Sequence, residues 1–393
     1  MRREAKALQS AGHQVSVLCP AQSRQPWHEN LDGIMVYRFR PFTASSYLGY
    51  CFEHISATFA ILTLSLIVLL REGFDVIHVG NPPDTIVPAI SVYKLVGKRI
   101  IYDQHDLCPD LCAAKFANVP PLISGVLRWL ERQSYTLADH VITTNESYRQ
   151  IAITRGRIPE SKITIVRNGP ELQDFSCEID SGLRSRSANL LLYTGRISVQ
   201  DGLDVLCRIL QELRYEMGRK EFCCVVMGDG DALPRVKDLA KKAGLIENIC
   251  FTGWIDDSTT YFRYLNTADI CVSPEMSNGY NDRSTFIKVM EYMAAGKPIV
   301  AFDLAETRFT ARESALYARA NDERDFAHKL AELMDNVALR RTMGEYGRVR
   351  IQEELDWQYA VPKLFGAYRQ CMTTQKGLLR SLYKYFVHVE PGK

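Results

Sequence analysis

The sequence carries almost no net charge. Its 48 lysine and arginine residues are balanced by 46 aspartate and glutamate residues, so the formal net charge is +2. A protein without a strong positive field has no general attraction for a polyanion. We therefore expect no nucleic acid partner, and any phosphate site must be a local one.

The marks of an exported or metal-binding protein are also missing. The 11 cysteines are scattered, without the regular spacing of a disulfide framework. The segment that begins at Met1 is polar, so we expect a cytoplasmic protein that can lie at the inner face of the membrane. Cys108 and Cys112 have no matching ligand pair at zinc-site spacing, and we expect no bound metal.

Long hydrophobic runs are scarce. The longest, residues 55–70, contains Thr58, Thr63 and Ser65 and falls short of the ~20 residues that a bilayer span needs. We interpret it as a buried or interfacial helix. Residues 378–386 near the end combine apolar, aromatic and basic side chains, as an interfacial helix does. Both segments fit peripheral membrane contact, and both equally fit packing against protein.

The length and the pattern of the chain predict two α/β domains. A chain of 393 residues exceeds one ordinary hydrophobic core, and two domains imply a cleft. Helical and strand patterns alternate, as parallel sheets require. We expect one domain over residues 1–170 and a second over 171–357, with residues 358–393 packing back on the first. The main predicted strands are 13–19, 75–79, 98–103, 140–144, 163–167, 190–194, 222–227, 249–252, 270–272 and 298–302.

The first domain lacks an expected element. A doubly wound domain begins with a strand, whereas this chain starts inside the predicted first helix, residues 2–11. We expect strand edges that are left unpaired where the central strand should lie. A start codon upstream of Met1 is the favoured explanation, and a domain that tolerates a defective sheet is the alternative.

Three turns in the second half follow predicted strands or enter a helix, where a doubly wound sheet binds its ligands. They are Gly195-Arg196, Gly228-Asp229-Gly230 and the loop that enters a helix at Thr285. Glycine lets the backbone approach a ligand or adopt a positive φ. A single glycine turn usually only separates a strand from a helix, so the coincidence of three is the informative feature.

The segment 281–298 has the residues of a diphosphate site. Ser284 or Thr285 would cap the helix and leave backbone N–H groups free for an anion. Those N–H groups belong to Thr285, Phe286 and Ile287. Lys288 and Arg283 would add positive charge, and Glu291, one turn further on, could accept hydrogen bonds from ribose hydroxyls. An ordinary surface helix with a Lys–Glu pair fits the same spacing.

These segments, together with Phe251-Thr252-Gly253-Trp254, resemble the retaining glycosyltransferases of family 4. Residues 77–84, 102–106 and 166–169 resemble the same family. The resemblance implies the GT-B fold, with two Rossmann-like α/β domains facing a cleft. It also implies a nucleotide diphosphate sugar donor, UDP-linked by family bias, in the C-terminal domain. The acceptor in the N-terminal domain would be a glycan or lipid-linked glycan of cell-surface polysaccharide synthesis.

Site residues follow from the resemblance position by position. Glu291 corresponds to the ribose contact, Arg196 to a phosphate-binding arginine, and His105 to the histidine near the transferred sugar. We predict His105, Arg196 and Lys288 as the catalytic residues. The predicted donor-binding residues are Gly195, Gly228, Asp229, Gly230, Gly253, Trp254, Arg283, Thr285, Phe286, Ile287 and Glu291. We expect no cofactor, since the nucleotide sugar is a substrate, and no Asp-x-Asp metal motif stands in a suitable place.

Two positions depart from the family pattern. Asp201 stands where the family has a phosphate-binding lysine, and Arg283 stands where its Glu-x7-Glu motif has the first glutamate. Lys288 or Arg283 could replace the lost positive charge. Two other functions stay open: a GT-B sugar-nucleotide epimerase, and a non-catalytic nucleotide-sugar-binding or scaffold protein.

Overall fold

The computed structural model describes residues 1–22, 25–42, 47–116, 118–172 and 178–373. They form two α/β domains, each with a sheet of mainly parallel strands covered by helices. The C-terminal domain is formed by residues 181–350. The predicted interfacial segment 378–386 lies outside the described residues.

The N-terminal domain contains seven strands and six longer helices. Its strands are β1 (Ser16–Pro20), β2 (His28–Leu31), β3 (Ile34–Phe39), β4 (Val76–Gly80), β5 (Arg99–Gln104), β6 (His140–Thr143) and β7 (Ile163–Ile165). Its helices are α1 (Arg2–Ser10), α2 (Tyr47–Arg71), α3 (Ile86–Ile90), α4 (Cys108–Lys115), α5 (Pro121–Leu137) and α6 (Glu146–Thr154). Neither β3 nor the antiparallel strand β2 was predicted. The β2 sequence, His-Glu-Asn-Leu, has a single apolar residue and so lacks the pattern typical of strands.

The N-terminal sheet is divided in two. Strands β1, β3 and β2 form one sheet, and β4, β5, β6 and β7 form another. In the described residues no strand lies between β1 and β4. A cavity of about 1430 Å³ lies between them and is lined by residues 15–20 and 76–80. The predicted absence of the first strand is confirmed. We call the cavity between β1 and β4, where that strand would lie, the slot.

The C-terminal domain has an uninterrupted sheet. The strands are β8 (Asn189–Thr194), β9 (Phe222–Met227), β10 (Ile249–Gly253), β11 (Ile270–Ser273), β12 (Ile299–Phe302) and β13 (Ala315–Ala318). They are parallel and lie in the order β10-β9-β8-β11-β12-β13. The four inner strands are buried in continuous runs, as in sheets covered on both faces. The helices are α7 (Ser181–Arg184), α8 (Leu203–Gln211), α9 (Leu233–Lys242), α10 (Ser258–Thr267), α11 (Ile287–Ala294), α12 (Ala305–Ala311), α13 (Glu323–Asp335) and α14 (Val337–Arg350).

The last described helix, α15 (Val361–Thr373), crosses back to the N-terminal domain. Leu364, Ala367 and Cys371 are buried in one cluster with Ile101 of β5 and Ile142 of β6. This helix covers the face of the N-terminal sheet opposite α3 and α5.

The apolar run at residues 55–70 belongs to a longer helix than we expected. Helix α2 has 25 residues, and its segment Phe52–Arg71, with 20 residues and a mean hydropathy of 1.9, is long and apolar enough to cross a membrane. The prediction that it falls short of a span is therefore wrong by length. The polar residues Thr58, Thr63 and Ser65 do not end the helix, because Ser and Thr hydroxyls bond to carbonyls one turn earlier.

Candidate active site

The cleft between the domains receives the carboxyl ends of β5 and β8, as expected for doubly wound sheets. A cavity of about 140 Å³ lies between His105 of the N-terminal domain and Asp201, Tyr280, Thr285 and Phe286 of the C-terminal domain. The two halves therefore contribute facing walls of one site.

Several hydrogen bonds hold the domains together around this cavity. The Asn145 amide donates to the Arg283 carbonyl at 2.8 Å and to Thr285 Oγ1 at 2.9 Å. The hydroxyls of Tyr148 and Ser284 lie 3.1 Å apart, and the Tyr280 hydroxyl donates to Asp106. The loop before α11 is therefore fixed by the opposite domain.

His105 follows β5 and is positioned by a hydrogen bond to Asp103 and by contact with the Asn168 side chain. Its Nε2 lies 2.8 Å from Asp103 Oδ2, and its Nδ1 lies 3.3 Å from the Asn168 amide. Burial opposes protonation, but the charge of Asp103 and its hydrogen bond outweigh that effect and raise the pKa of His105 to about 9. His105 is therefore a cation at neutral pH, at the inner edge of the cleft.

The glycine turns after β8 and β9 pack directly against each other. A Cβ on Gly228 would overlap the carbonyl oxygen of Gly195, and a Cβ on Gly230 would overlap that of Ile197. The Ile197 N–H also donates to the Asp229 carbonyl at 3.0 Å. These glycines are required by the contact between the two turns, whatever else they do for a ligand.

Helix α11 begins later than predicted. Its N-cap is Phe286, without a side-chain cap, and its first residue is Ile287. The prediction that Ser284 or Thr285 caps it is wrong: Ser284 Oγ donates to the Tyr280 carbonyl at 2.9 Å, and Thr285 accepts from Asn145. The chain stays extended at Ser284 and Phe286, so the free N–H groups at the helix start are shifted toward Ile287 and Lys288.

Lys288 is a buried cation with acidic partners. Its ammonium donates to Glu275 Oε1 at 2.5 Å and to the Tyr193 hydroxyl at 3.0 Å. Burial lowers the pKa of Lys288, but Glu275 and Asp201 more than compensate and raise it above its ordinary value. Lys288 is therefore protonated, with part of its charge balanced by Glu275.

Asp201 lies behind Lys288, in a tight turn. Its carboxylate accepts from the Ser198 N–H at 2.9 Å and completes a capping box there. Burial, partly offset by Lys288, raises the pKa of Asp201 to about 6. The acid that replaces the expected lysine is thus directed into the turn, and it is partly protonated at slightly acidic pH.

Glu291 lies on α11 one turn beyond Lys288 and is held by Tyr261. The Tyr261 hydroxyl donates to Glu291 Oε2 at 2.6 Å. Burial raises the pKa of Glu291, while Tyr261, Arg3 of the facing domain and Lys288 lower it. With Oε2 engaged, Oε1 is left to accept a hydrogen bond from a ligand hydroxyl.

Three other predicted residues lie in different surroundings. Arg196 is exposed, and its guanidinium makes no hydrogen bond or ion pair with the described residues. Arg283 donates to the Gly279 carbonyl of its own domain. Its guanidinium also lies 3.6 Å from Asp110 Oδ1 of the N-terminal domain, so this ion pair links the two domains. Trp254, after Gly253 at the end of β10, is 62% exposed and donates to Asp256 at 2.8 Å.

One group of side chains has the composition of a metal site. Ligand atoms of Glu4, His78 and Asp103 lie within 4.8 Å of one another. Asp103 Oδ2 already bonds to both His78 and His105, and His78 Nδ1 lies 2.9 Å from the Tyr368 hydroxyl. The group is thus part of the hydrogen-bond network that supports His105.

Sequence reasoning missed the partners that orient the predicted residues. Glu275 follows β11 at the carboxyl edge of the sheet, and an acid at that edge was a usable signal for a partner of Lys288. Asp103 lies two residues before His105, and its role as the partner of that histidine was not predicted. Tyr261 lies in the middle of a helix, and nothing in its local sequence indicates the contact with Glu291.

Two family models together match most of the chain. Residues 1–169 match the glycosyl transferase 4-like domain, and residues 188–336 match glycosyl transferases group 1. An uncharacterised glycosyltransferase of Methanocaldococcus jannaschii is 23% identical over 308 residues, which are 75% of this chain and 73% of the relative. A phosphatidyl-myo-inositol mannosyltransferase of Mycobacterium leprae is 25% identical over 314 residues, 78% and 76% of the two chains.

Solved structures share the architecture. Sucrose-phosphate synthase from Thermosynechococcus elongatus superposes with a TM-score of 0.77 at 18% identity, covering 95% of this chain and 93% of that one. Anabaena HepE in complex with UDP-glucose superposes with a TM-score of 0.66 at 12% identity, covering 90% of this chain and 99% of that one. The fold is GT-B, with two Rossmann-like domains. With both domains matched by family models, the chain belongs to the group 1 glycosyltransferases.

Proposed function

We propose that this glycosyltransferase moves a hexosyl or N-acetylhexosaminyl unit from a UDP-linked sugar to a lipid-linked glycan, with retention of configuration. The observation that carries the proposal is the pairing across the cleft: Thr285 and Phe286, at the start of α11, face His105 of the other domain. Lys288 and Glu291 follow on the same helix. This arrangement supports a diphosphate and ribose site on one wall and a positioned cation on the other.

The donor would bind along α11 and the turn after β8. Its diphosphate would meet the free N–H groups of α11, the Lys288 ammonium and the exposed Arg196 guanidinium. Glu291 Oε1 would accept from a ribose hydroxyl, and the base would lie near Gly253 and Trp254. The complex of Anabaena HepE with UDP-glucose supports uridine as the base.

Chemically, the bond between the anomeric carbon and the diphosphate oxygen breaks, and the acceptor oxygen forms its bond on the same face of the sugar. The acceptor proton passes to the departing diphosphate oxygen. Lys288, Arg196 and the helix N–H groups stabilise the charge that develops on the leaving group. His105, cationic because of Asp103, holds the transferred sugar at the opposite wall.

We also propose metal-independent catalysis in the cytoplasm. Positive charge for the leaving group is already supplied by Lys288 and Arg196, and the carboxylates of Glu275 and Asp201 are committed to Lys288 and to the Ser198 turn. The relative from Mycobacterium leprae, a phosphatidyl-myo-inositol mannosyltransferase, supports a lipid acceptor.

The test is release of nucleoside diphosphate from UDP-, GDP- and dTDP-sugars, with and without polyprenyl-diphosphate-linked glycan. We expect release that depends on the acceptor and a product with the anomeric configuration of the donor. Tight donor binding without turnover would instead support the non-catalytic alternative, and conversion of the donor sugar without an acceptor would support the epimerase.

A further inference from the structure

One side of α2 exposes large apolar residues along its length. Phe52, Ile55, Phe59, Leu66 and Leu70 are 49–78% exposed. Their separations of three, four, seven and four residues place them on one side of the helix. Of the 18-residue apolar window in this helix, only 11% is buried, so α2 is unlike the core helix of a soluble domain.

The other side of α2 is fastened to the domain. Val68 is buried, and Ile61, Leu62 and Leu69 pack against the core beneath. The Ser65 and Tyr93 hydroxyls lie 2.9 Å apart. Helix α2 is thus a fixed part of the fold with one apolar side uncovered, which is the arrangement of a helix lying in an interface rather than crossing it.

Neighbouring elements extend the uncovered apolar surface. Helix α3 packs between α2 and α5, and the turn of 3₁₀ helix after α3 exposes apolar side chains, as does α5. Those side chains are Val92, Leu95, Val96, Leu122, Val126 and Trp129, at 45–78% exposure. We call the exposed side chains of α2, the turn 91–96 and α5 the outer face. Soluble monomers rarely expose apolar patches larger than a few hundred Å².

The charges of the outer face are mostly positive. In residues 47–71, 91–96 and 121–137 the basic residues are Arg71, Lys94, Arg128 and Arg132. Lys94 is paired with Asp139 at 3.0 Å, which leaves Arg71, Arg128 and Arg132 as the exposed cations of these segments. The acidic residues are Glu53 and Glu131, and Glu131 is fully buried against Arg155. Cations beside an apolar surface complement anionic lipid headgroups, and Trp129 has the amphipathic ring favoured at that depth.

The outer face leads to the cleft. Helices that connect parallel strands run opposite to them, so α2 and α5 begin at the carboxyl edge of the N-terminal sheet. His105 and Asp106 follow β5 at that same edge. Phe52 and Leu122, near the two helix starts, therefore lie at the end of the outer face that is nearest the cleft.

We propose that the outer face binds an anionic lipid bilayer, with α2 and α5 lying in the plane of the headgroups. Buried apolar area and attraction between cations and anionic lipids together supply the binding. The role of this surface in presenting a lipid-linked acceptor rests on the proposed function, but the binding itself does not.

The experiment is flotation of the full chain with vesicles of phosphatidylcholine alone or mixed with phosphatidylglycerol. We expect binding to the mixed vesicles that weakens in high salt. F59S combined with L70S should weaken binding at least about tenfold, since each removes apolar contact. R128E combined with R132E should weaken binding to the mixed vesicles and leave binding to phosphatidylcholine vesicles unchanged. V337S, at a 49% exposed valine of the C-terminal domain, is the matched control.

Equal vesicle binding by F59S/L70S and the parent chain would overturn the proposal. So would vesicle-independent self-association that the same pair abolishes, because a second copy would then cover the outer face. Unchanged affinity for UDP-glucose shows that the variants fold. Transfer to a water-soluble acceptor should also be unchanged in the variants. If the parent chain binds vesicles but transfers no sugar, the proposed function is rejected and the proposed membrane binding is not.

Discussion

The two halves of this protein have the same kind of fold but differ at the centre of their sheets. In the C-terminal domain the central strand β8 pairs with β9 on one side and β11 on the other. In the N-terminal domain β1 and β4 face each other across a cavity of about 1430 Å³. Edge strands with free N–H and C=O groups are less protected than paired ones, so we expect the halves to differ in local stability.

The interruption leaves the edge that carries His105 in place. His105 follows β5, which pairs with β4 and β6 on its two sides. Asp103 and Asn168 contact the ring from within that intact part. In the function we propose, transfer chemistry belongs to the paired part of the first half and donor binding to the second half, and variants should separate the two.

The largest expected effect is on turnover. His105→Ala removes a cation from the wall facing the transferred sugar, and we expect turnover to fall by about 10²–10³-fold. Affinity for the UDP part of the donor should change little, because the proposed nucleotide and diphosphate contacts lie on the other wall. Steady-state kinetics and isothermal titration of UDP measure the two quantities. His328→Ala, at an exposed histidine of α13, is the control, and an equal loss of affinity for UDP in His105→Ala would contradict the division of roles.

The next effect is on donor affinity. Glu291→Ala removes the proposed ribose acceptor and the hydrogen bond from Tyr261, so affinity should fall about 10–100-fold, or ~1–3 kcal/mol. Glu345→Ala, at an exposed acid of α14, should bind as the parent does. The assignment fails if titration of UDP-glucose gives the same dissociation constant for Glu291→Ala and the parent chain.

A smaller effect concerns stability and pH in the first half. The raised pKa of His105, about 9, means that its stabilising contribution is complete below the ordinary histidine range and is lost as pH rises through about 9. Urea unfolding should show about 1–3 kcal/mol less stability from this group at pH 9.5 than at pH 6. In His105→Gln that part of the pH dependence should disappear, and its persistence would show that another group is responsible.

The smallest effect concerns Asp201. With its pKa raised to about 6 by burial, Asp201 loses its negative charge as pH falls through that value, so repulsion of the donor diphosphate decreases. We expect affinity for UDP-glucose to rise a few-fold, about 0.5–1 kcal/mol, from pH 8 to pH 5.5. Asp201→Asn, which keeps an acceptor for the Ser198 N–H, should bind equally at both values. A pH dependence that survives in Asp201→Asn would contradict this account.

Much of the fold was predictable because it depends on local patterns. Continuous apolar runs such as 222–227 and 270–272 became strands close to their predicted limits. The missing strand was also predictable, because the order of elements in a doubly wound domain requires it. Strand β2 was missed because its polar sequence forms a strand only through pairing with β3.

The site was less predictable because its geometry comes from contacts distant in sequence. Ser284 and Thr285 have side chains typical of helix caps, but their hydroxyls form hydrogen bonds with Tyr148 and Asn145 of the opposite domain. Lys288 was predicted to add positive charge to a diphosphate site, whereas Glu275 balances part of that charge. Pairings between residues of different elements leave no periodic signal in the sequence.

The most direct test of the account is amide hydrogen exchange of the full chain with and without UDP-glucose. Without ligand we expect β1 and β4 to exchange faster than β8 and β9. Added donor should protect residues 194–197 and the first turn of α11, with little change in β1 and β4. Protection confined to the slot between β1 and β4, with none at residues 194–197 or 286–291, would contradict the assignment of donor binding to the C-terminal half.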